Sequence, residues 1–305
     1  MQTEQKKMTP TDAINRMIAA INAGREGDFY KVAEEFAESL AHNGGSRWRL
    51  KNALRQKPMR MKLLDEMPHN LKGLLISGKK EVENVYLTDK VESFIKVLLS
   101  EWKNKSAYDI HKIPVRSKLL LYGPTGNGKT TIARYIAQKS ELPFIEVNSD
   151  SVIDSYIGRT STNIHNVLND IKEPCVLFWD EIDSVGCKRG NKDGSAASHE
   201  NDRMTNSLLT NMERLQDTVI LIGATNRMNV LDSAFLRRFD AKVEIPAPSM
   251  EEKVQYIGGL LAYHSLPNEL YNNDLVELES FSDIKTKMLE IGRQFLVHQT
   301  QKTCQ

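Results

Sequence analysis

The sequence predicts an α/β fold, a parallel sheet with flanking helices, preceded by a small N-terminal helical domain and followed by a C-terminal helical lid. Short, nearly continuous apolar runs lie at 119–122, 144–147, 175–179, 219–224 and 243–245, separated by helical periodicity, as in strands buried on both faces. The first run, read as a strand from Lys118 to Tyr122, leads into a glycine-rich loop that opens a helix through Ile132, Tyr135 and Ile136. After Pro246 and Pro248 the strand pattern stops, and only the helical period remains.

Taken in chain order, Ile14, Met17, Ile18 and Ile21 recur at helical spacing, and Phe29, Val32, Phe36 and Leu40 do so again beyond Gly24 to Gly27. Residues 1–57 are therefore expected to form a helical domain that selects a substrate or partner. Its end is basic, with Arg47, Arg49, Lys51, Arg55, Lys57, Arg60 and Lys62. Such an arm suits an acidic partner or nucleic acid, or is a solvated helix face running into a linker. Pro58, Pro68, Gly73 and Gly78 punctuate the expected linker, 58–87. Thr88 can cap an amphipathic helix through Val91, Phe94, Ile95, Leu98 and Trp102, opening the large domain at 88–248. The lid, 249–305, ends in a helix carrying Ile284, Met288, Ile291 and Phe295 on one face, with Ser282 as its expected cap.

Composition sets the outer bounds. The chain has 305 residues, 40% hydrophobic and 27% charged, enough for a full core. Lys+Arg 41 against Asp+Glu 40 leaves a net charge of +1, so charge alone does not imply nucleic acid. Cys175, Cys187 and Cys304 match neither a zinc site nor a disulfide framework, which fits a reducing compartment. The N-terminus, Met1 to Pro10, has no apolar leader core, and no apolar run reaches the length of about 18 residues that spans a bilayer. A cytoplasmic protein without a membrane partner is the expectation.

The loop Gly123-Pro124-Thr125-Gly126-Asn127-Gly128-Lys129-Thr130, with Thr131 behind it, has the residue types and spacing of a nucleotide phosphate cradle, the P-loop of nucleoside-triphosphate hydrolases. Backbone amides and the helix N-terminus face the phosphates, Lys129 reaches the β- and γ-oxygens, and Thr130 ligates Mg²⁺. Glycines are required because side chains would hold the backbone off the anion. ATP and Mg²⁺ are the expected cofactors. Cys175 to Trp179 then ends in Asp180-Glu181-Ile182-Asp183, which sets two adjacent carboxylates at the carboxyl end of a buried strand, where open parallel sheets bind ligands. Asp180 suits support of Mg²⁺. Glu181 suits polarising the water that attacks the γ-phosphate.

Over Arg116 to Pro248 the chain resembles the AAA branch of the AAA+ ATPases, which includes protein-remodelling and disassembly motors. The resemblance rests on the phosphate loop (Walker A), Asp180-Glu181-Ile182-Asp183 (Walker B), and a third block, Val219 to Asp240, similar to the second region of homology that defines the branch. It implies that Asn226, after Leu221-Ile222-Gly223-Ala224-Thr225, occupies the sensor 1 position. An amide there hydrogen-bonds the γ-phosphate or the attacking water. It further implies that Arg237 and Arg238, in Leu231 to Asp240, are arginine fingers serving the neighbour's nucleotide; read alone, the pair also suits ion pairing with Asp232 or Asp240. Fingers acting in trans require a ring, and the resemblance implies a hexamer.

Tyr156-Ile157-Gly158, within Asp154 to Thr160, is similar to the aromatic-hydrophobic-glycine loop that faces the pore in AAA remodellers. There an aromatic ring grips an extended polypeptide without regard to its sequence. As an isolated residue Tyr156 equally reads as a packed aromatic. The polar stretch Lys188 to Asp202 corresponds to a second pore loop or to a surface loop. Two departures stand out: Thr125 and Asn127 replace the family's frequent Pro and Thr, and Phe281-Ser282-Asp283 stands where a Gly-Ala pair is common, with no arginine in a sensor 2 position. The N-terminal hairpin joined to Ala234 to Asp240 resembles a bacterial AAA group often found with subtilisin-like proteases. The resemblance thus implies an ATP-hydrolysing ring that remodels a protein client, with a nucleic-acid motor or a nucleotide-gated scaffold as the alternatives.

Overall fold

The computed structural model describes residues 9–22, 31–33, 35–36, 69–77, 82, 85–153, 159–171, 173–186 and 196–303. Contacts divide the chain into two compact units, Met1–Met67 and Pro68–Gln305. In the first unit, helix Pro10–Asn22 starts behind Thr9, whose hydroxyl accepts from the Asp12 amide at 3.2 Å. Residues 31–33 and 35–36 are also helical. Ala13, Val32 and Ala33 are buried, and Arg16 pairs with Glu35 at 3.2 Å. The basic stretch 47–62 lies outside the described residues.

The second unit is built on a six-stranded sheet. Its strands are β1 (Leu75–Ser77), β2 (Lys118–Tyr122), β3 (Phe144–Val147), β4 (Cys175–Trp179), β5 (Val219–Thr225) and β6 (Ala241–Glu244), ordered β1-β3-β4-β5-β2-β6. All neighbours pair in parallel except β1, which runs antiparallel along β3 with Ile76 opposite Glu146. Every residue of β4 and β5 is buried, which is why those runs carry no polar alternation. β6 begins two residues before the expected run. Asp240 anchors it there, its carboxylate accepting from the amides of Ser117 and Lys118 at 2.8 Å while its own amide donates to the Lys118 carbonyl.

The stretch expected as a linker contributes structure of its own. β1 is too short to show a period, and Gly73 and Gly78 disguise it as loop. Pairing with β3 makes it a strand, and Asn148 secures its start by donating from its backbone to the Leu74 carbonyl and from its side chain to that of Gly73.

One face of the sheet packs on helix Asp89–Lys103, through Val91, Ile95 and Leu98, and on helix Lys129–Lys139, through Ile132, Ala133 and Ile136. Thr88 caps the first of these as predicted, accepting from Val91. Helices Arg159–Asn169 and Ala196–Glu213 supply the buried residues Ile164, Val167, Leu168, Leu208 and Met212. The lid has a separate core of Ile257, Leu260, Leu261, Leu275, Val276, Ile284 and Met288. Ser249 and Glu252 form a capping box at its entry, directly behind the two prolines. No helix among the described residues is long and apolar enough to cross a membrane.

Candidate functional site

The phosphate loop connects the end of β2 to helix Lys129–Lys139 along the carboxyl edge of the sheet, where β4 and β5 also end. Gly123, Gly126 and Gly128 all have positive φ, at 143°, 77° and 88°. At Gly123 a Cβ would meet the Ile245 carbonyl oxygen at 2.0 Å, so only glycine lets the chain leave β2 beside β6. Gly128 caps the helix with no side chain, leaving the amides of Lys129, Thr130 and Thr131 in a first turn that lacks intrahelical acceptors.

Lys129 is buried, and its ammonium donates to the carbonyls of Gly123 and Pro124, both at 2.8 Å. Burial holds it below the ordinary lysine range, and the Asp180 carboxylate acts in the opposite direction. A buried cation with two neutral acceptors is electrostatically suited to an anion. Thr130 Oγ1 donates to Asp180 Oδ2 at 3.4 Å, so a hydroxyl and a carboxylate meet where hard oxygen donors would hold Mg²⁺. These residues fit both the triphosphate and its metal.

β4 leads directly into Asp180, whose other carboxylate oxygen accepts from the Glu181 amide at 2.9 Å. Glu181 is exposed and adopts the left-handed conformation, φ 49° and ψ 42°, which few non-glycine residues take. That turn carries its side chain off the buried strand. Beside it β5 ends at Thr225, whose hydroxyl donates to the buried Asp183 at 2.7 Å and accepts from the Arg227 amide at 2.9 Å. These bonds tie the two strand ends together, and the residue after Thr225 is Asn226, exposed. Asp183 and Thr225 were quoted within the sequence motifs without a role; only their burial shows that they form the brace.

A family model for "ATPase family associated with various cellular activities (AAA)" matches residues 119–247, the segment that contains all of these groups. This segment is an AAA ATPase domain. Similar curated proteins include the ATP-dependent zinc metalloprotease FtsH of Streptobacillus moniliformis, 32% identical over 205 residues, covering 65% of this chain and 29% of that protein. The 26S proteasome regulatory subunit S10B homolog B of Arabidopsis thaliana is 40% identical over 145 residues, 46% of this chain and 36% of its own length. The peroxisomal ATPase PEX6 of Saccharomyces cerevisiae is 37% identical over 175 residues, 55% and 17% respectively. In each case the match spans less than half of the relative.

The two arginines of the AAA domain stand in different surroundings. Arg238 pairs with Glu213 at 2.6 Å, while Asp232 instead caps the turn Ser233–Leu236 and Asp240 anchors β6. Arg237 is exposed; its amide closes the turn on the Ser233 carbonyl, and its guanidinium has no hydrogen-bond or ion-pair partner among the described residues. Tyr156, Ile157 and Gly158 lie outside the described residues, as do 188–195 of the expected second loop, while 196–202 belong to helix Ala196–Glu213 and not to a loop.

The lid also reaches the site. Phe281 lies 4.6 Å from Tyr256 and 5.3 Å from Tyr86, ring centre to ring centre. With Leu87, Asn127, Ile132 and Ile245, the rings of Tyr86 and Phe281 line a narrow, mostly apolar cleft of about 20 Å³ next to the phosphate loop. Sequence reasoning missed this cluster because its members come from three segments. Nor is Ser282 the cap of helix Phe281–Thr303: Ser280 is, its hydroxyl accepting from the Asp283 amide at 3.2 Å. Ser282 falls inside the first turn, because the helix begins as soon as the chain leaves the loop.

Proposed function

We propose that this protein is an ATP-hydrolysing motor that assembles head to tail into a ring, expected to be a hexamer, and that remodels, unfolds or disassembles a protein client through the central pore. The observation that carries the reading is the contrast between the arginines: Arg238 is engaged within its own chain, whereas Arg237, eleven residues beyond Asn226, presents a guanidinium to solvent. A guanidinium of that kind completes a phosphoryl-transfer site when it comes from outside, because it adds charge where the transition state develops it.

In this reading the amides of the phosphate loop and Lys129 bind the triphosphate, and Thr130 with Asp180 holds Mg²⁺. When bound, the metal neutralises charge on the β- and γ-phosphate oxygens. Glu181 takes the proton of the attacking water while Asn226 orients that water, and the neighbour's Arg237 meets the growing charge. Tyr86 and Phe281 flank the adenine. The names of the relatives, a zinc metalloprotease and a proteasome regulatory subunit among them, support a protein client. They also agree with a protease as effector; the subtilisin-like class is expected only from the resemblance of the N-terminal hairpin joined to Ala234 to Asp240.

The test is to capture clients with ATP on the Glu181→Gln protein and then compare wild type with Tyr156→Ala. The expected result is ATP turnover within about twofold of wild type in Tyr156→Ala, together with loss of client unfolding, since an aromatic grip contributes to pulling and not to hydrolysis. Equal loss of both activities would assign Tyr156 to packing and remove the pore from the proposal.

A further inference from the structure

The first turn of the lid helix Phe281–Thr303 would ordinarily leave its leading amides without acceptors. Here each has one. The Phe281 amide donates to Asn127 Oδ1 at 3.4 Å and the Ser282 amide to the Gly126 carbonyl at 3.0 Å. The Asp283 amide turns back to the Ser280 hydroxyl at 3.2 Å, and the Ile284 amide makes the first ordinary helical bond, to the Ser280 carbonyl at 3.1 Å. Two of the three capping bonds are therefore made by the phosphate loop. The approach is close as well, since a Cβ on Gly126 would meet Ser280 Oγ at 2.5 Å and Ser282 Cβ at 3.3 Å. Asn127 itself is only 4% exposed.

We propose that Asn127 is a positioning residue that makes the seating of the lid and the conformation of the phosphate loop a single equilibrium, a task this chain performs without an arginine reaching from the lid. The inference rests on the reading of the loop as an ATP site. Gly126 and Asn127 each act on two sides. Their peptide groups belong to the cradle for the phosphates, while the Gly126 carbonyl and the Asn127 carboxamide hold the lid. A ligand that fixes the loop in its capping geometry favours the seated lid, and by linkage a seated lid favours the ligand. Phe281 extends the coupling to the aromatic cleft, because the residue whose amide donates to Asn127 also supplies one wall of that cleft.

Hydrogen exchange at the amides of Phe281 to Ile284 tests this in the full-length protein. Without nucleotide, Asn127→Ala is expected to exchange about fivefold faster than wild type, as loss of one cap bond implies. Asn127→Asp, which retains an acceptor, is expected to exchange at the wild-type rate. Saturating ADP with Mg²⁺ is expected to slow exchange about tenfold in wild type and by less than about threefold in Asn127→Ala, where only the Gly126 carbonyl still joins the loop to the lid. In Asn127→Asp, affinity for ADP should fall about tenfold, because the added charge opposes the phosphates. Equal exchange in Asn127→Ala and wild type, or equally fast exchange in both variants, would overturn the role of Asn127. Slowing by ADP that is as large in Asn127→Ala as in wild type would overturn the coupling through Asn127. A wild type that binds no nucleotide would instead remove the ATP reading beneath it, and the nucleotide-free comparison would still decide the cap.

Discussion

Glu181→Gln is expected to leave nucleotide affinity within about threefold of wild type while lowering ATP turnover by about 100-fold or more, the usual range for loss of a positioned general base. The asymmetry follows from where the residue sits. Glu181 leaves β4 in a left-handed turn that directs it away from the strand, whereas the groups suited to holding the triphosphate are Lys129, Thr130, Asp180 and the loop amides. Glutamine keeps the size and one acceptor oxygen of glutamate but cannot take a proton at neutral pH. Fluorescent-nucleotide binding and phosphate release, measured on one preparation, check both halves. A loss of binding that matches the loss of turnover would show that Glu181 serves the cradle and not the attacking water.

Lys129→Ala and Arg237→Ala are each expected to fall below about 1% of wild-type turnover, since a phosphate-loop cation and a finger arginine each stabilise charge in the transition state. Their mixture is expected to behave otherwise. A protomer carrying Arg237→Ala retains an intact phosphate loop, and a protomer carrying Lys129→Ala retains an intact finger. At equal proportions about a quarter of randomly assembled interfaces bring the two together, so about a quarter of wild-type turnover should return. Arg238→Ala is a poor substitute in this experiment, because it also breaks the pair with Glu213 and leaves a carboxylate without its partner. Phosphate release measured across mixing ratios gives the result directly. Recovery that stays at the sum of the two singles at every ratio would mean that Arg237 acts within its own chain.

The sheet was legible wherever burial on both faces made the strands continuously apolar. β4 and β5 are the extreme case, and the sequence run Cys175 to Trp179 coincides with the strand. The phosphate loop was equally legible, because phosphate chemistry demands glycine and lysine at fixed separations and few other structures do. β1 was not, since three residues at a sheet edge take their conformation from the neighbour they pair with and carry no period of their own. The aromatic cluster stayed hidden for a related reason: Tyr86, Tyr256 and Phe281 read individually as ordinary apolar residues of a connection and two helices. The same holds for the different surroundings of Arg237 and Arg238. Adjacent arginines are indistinguishable in sequence, and only the position of Glu213 at the end of its helix separates them.

Asn127 gives the most informative contrast. In the sequence it reads as a tolerated change inside the phosphate loop, leaving the glycines and lysine untouched. In the fold it faces the lid, and its buried carboxamide accepts from a helix about 150 residues further along the chain. Long-range partners of this kind have no local signature.

The central claim is that catalysis is completed between protomers, and the most direct measurement is ATP turnover per protomer across a dilution series, with the mass of the species determined at each concentration. Turnover should rise steeply as the assembled form replaces the lone chain, and should be close to zero where mass shows a single chain. A lone chain that hydrolyses ATP as fast as the assembly would contradict the account.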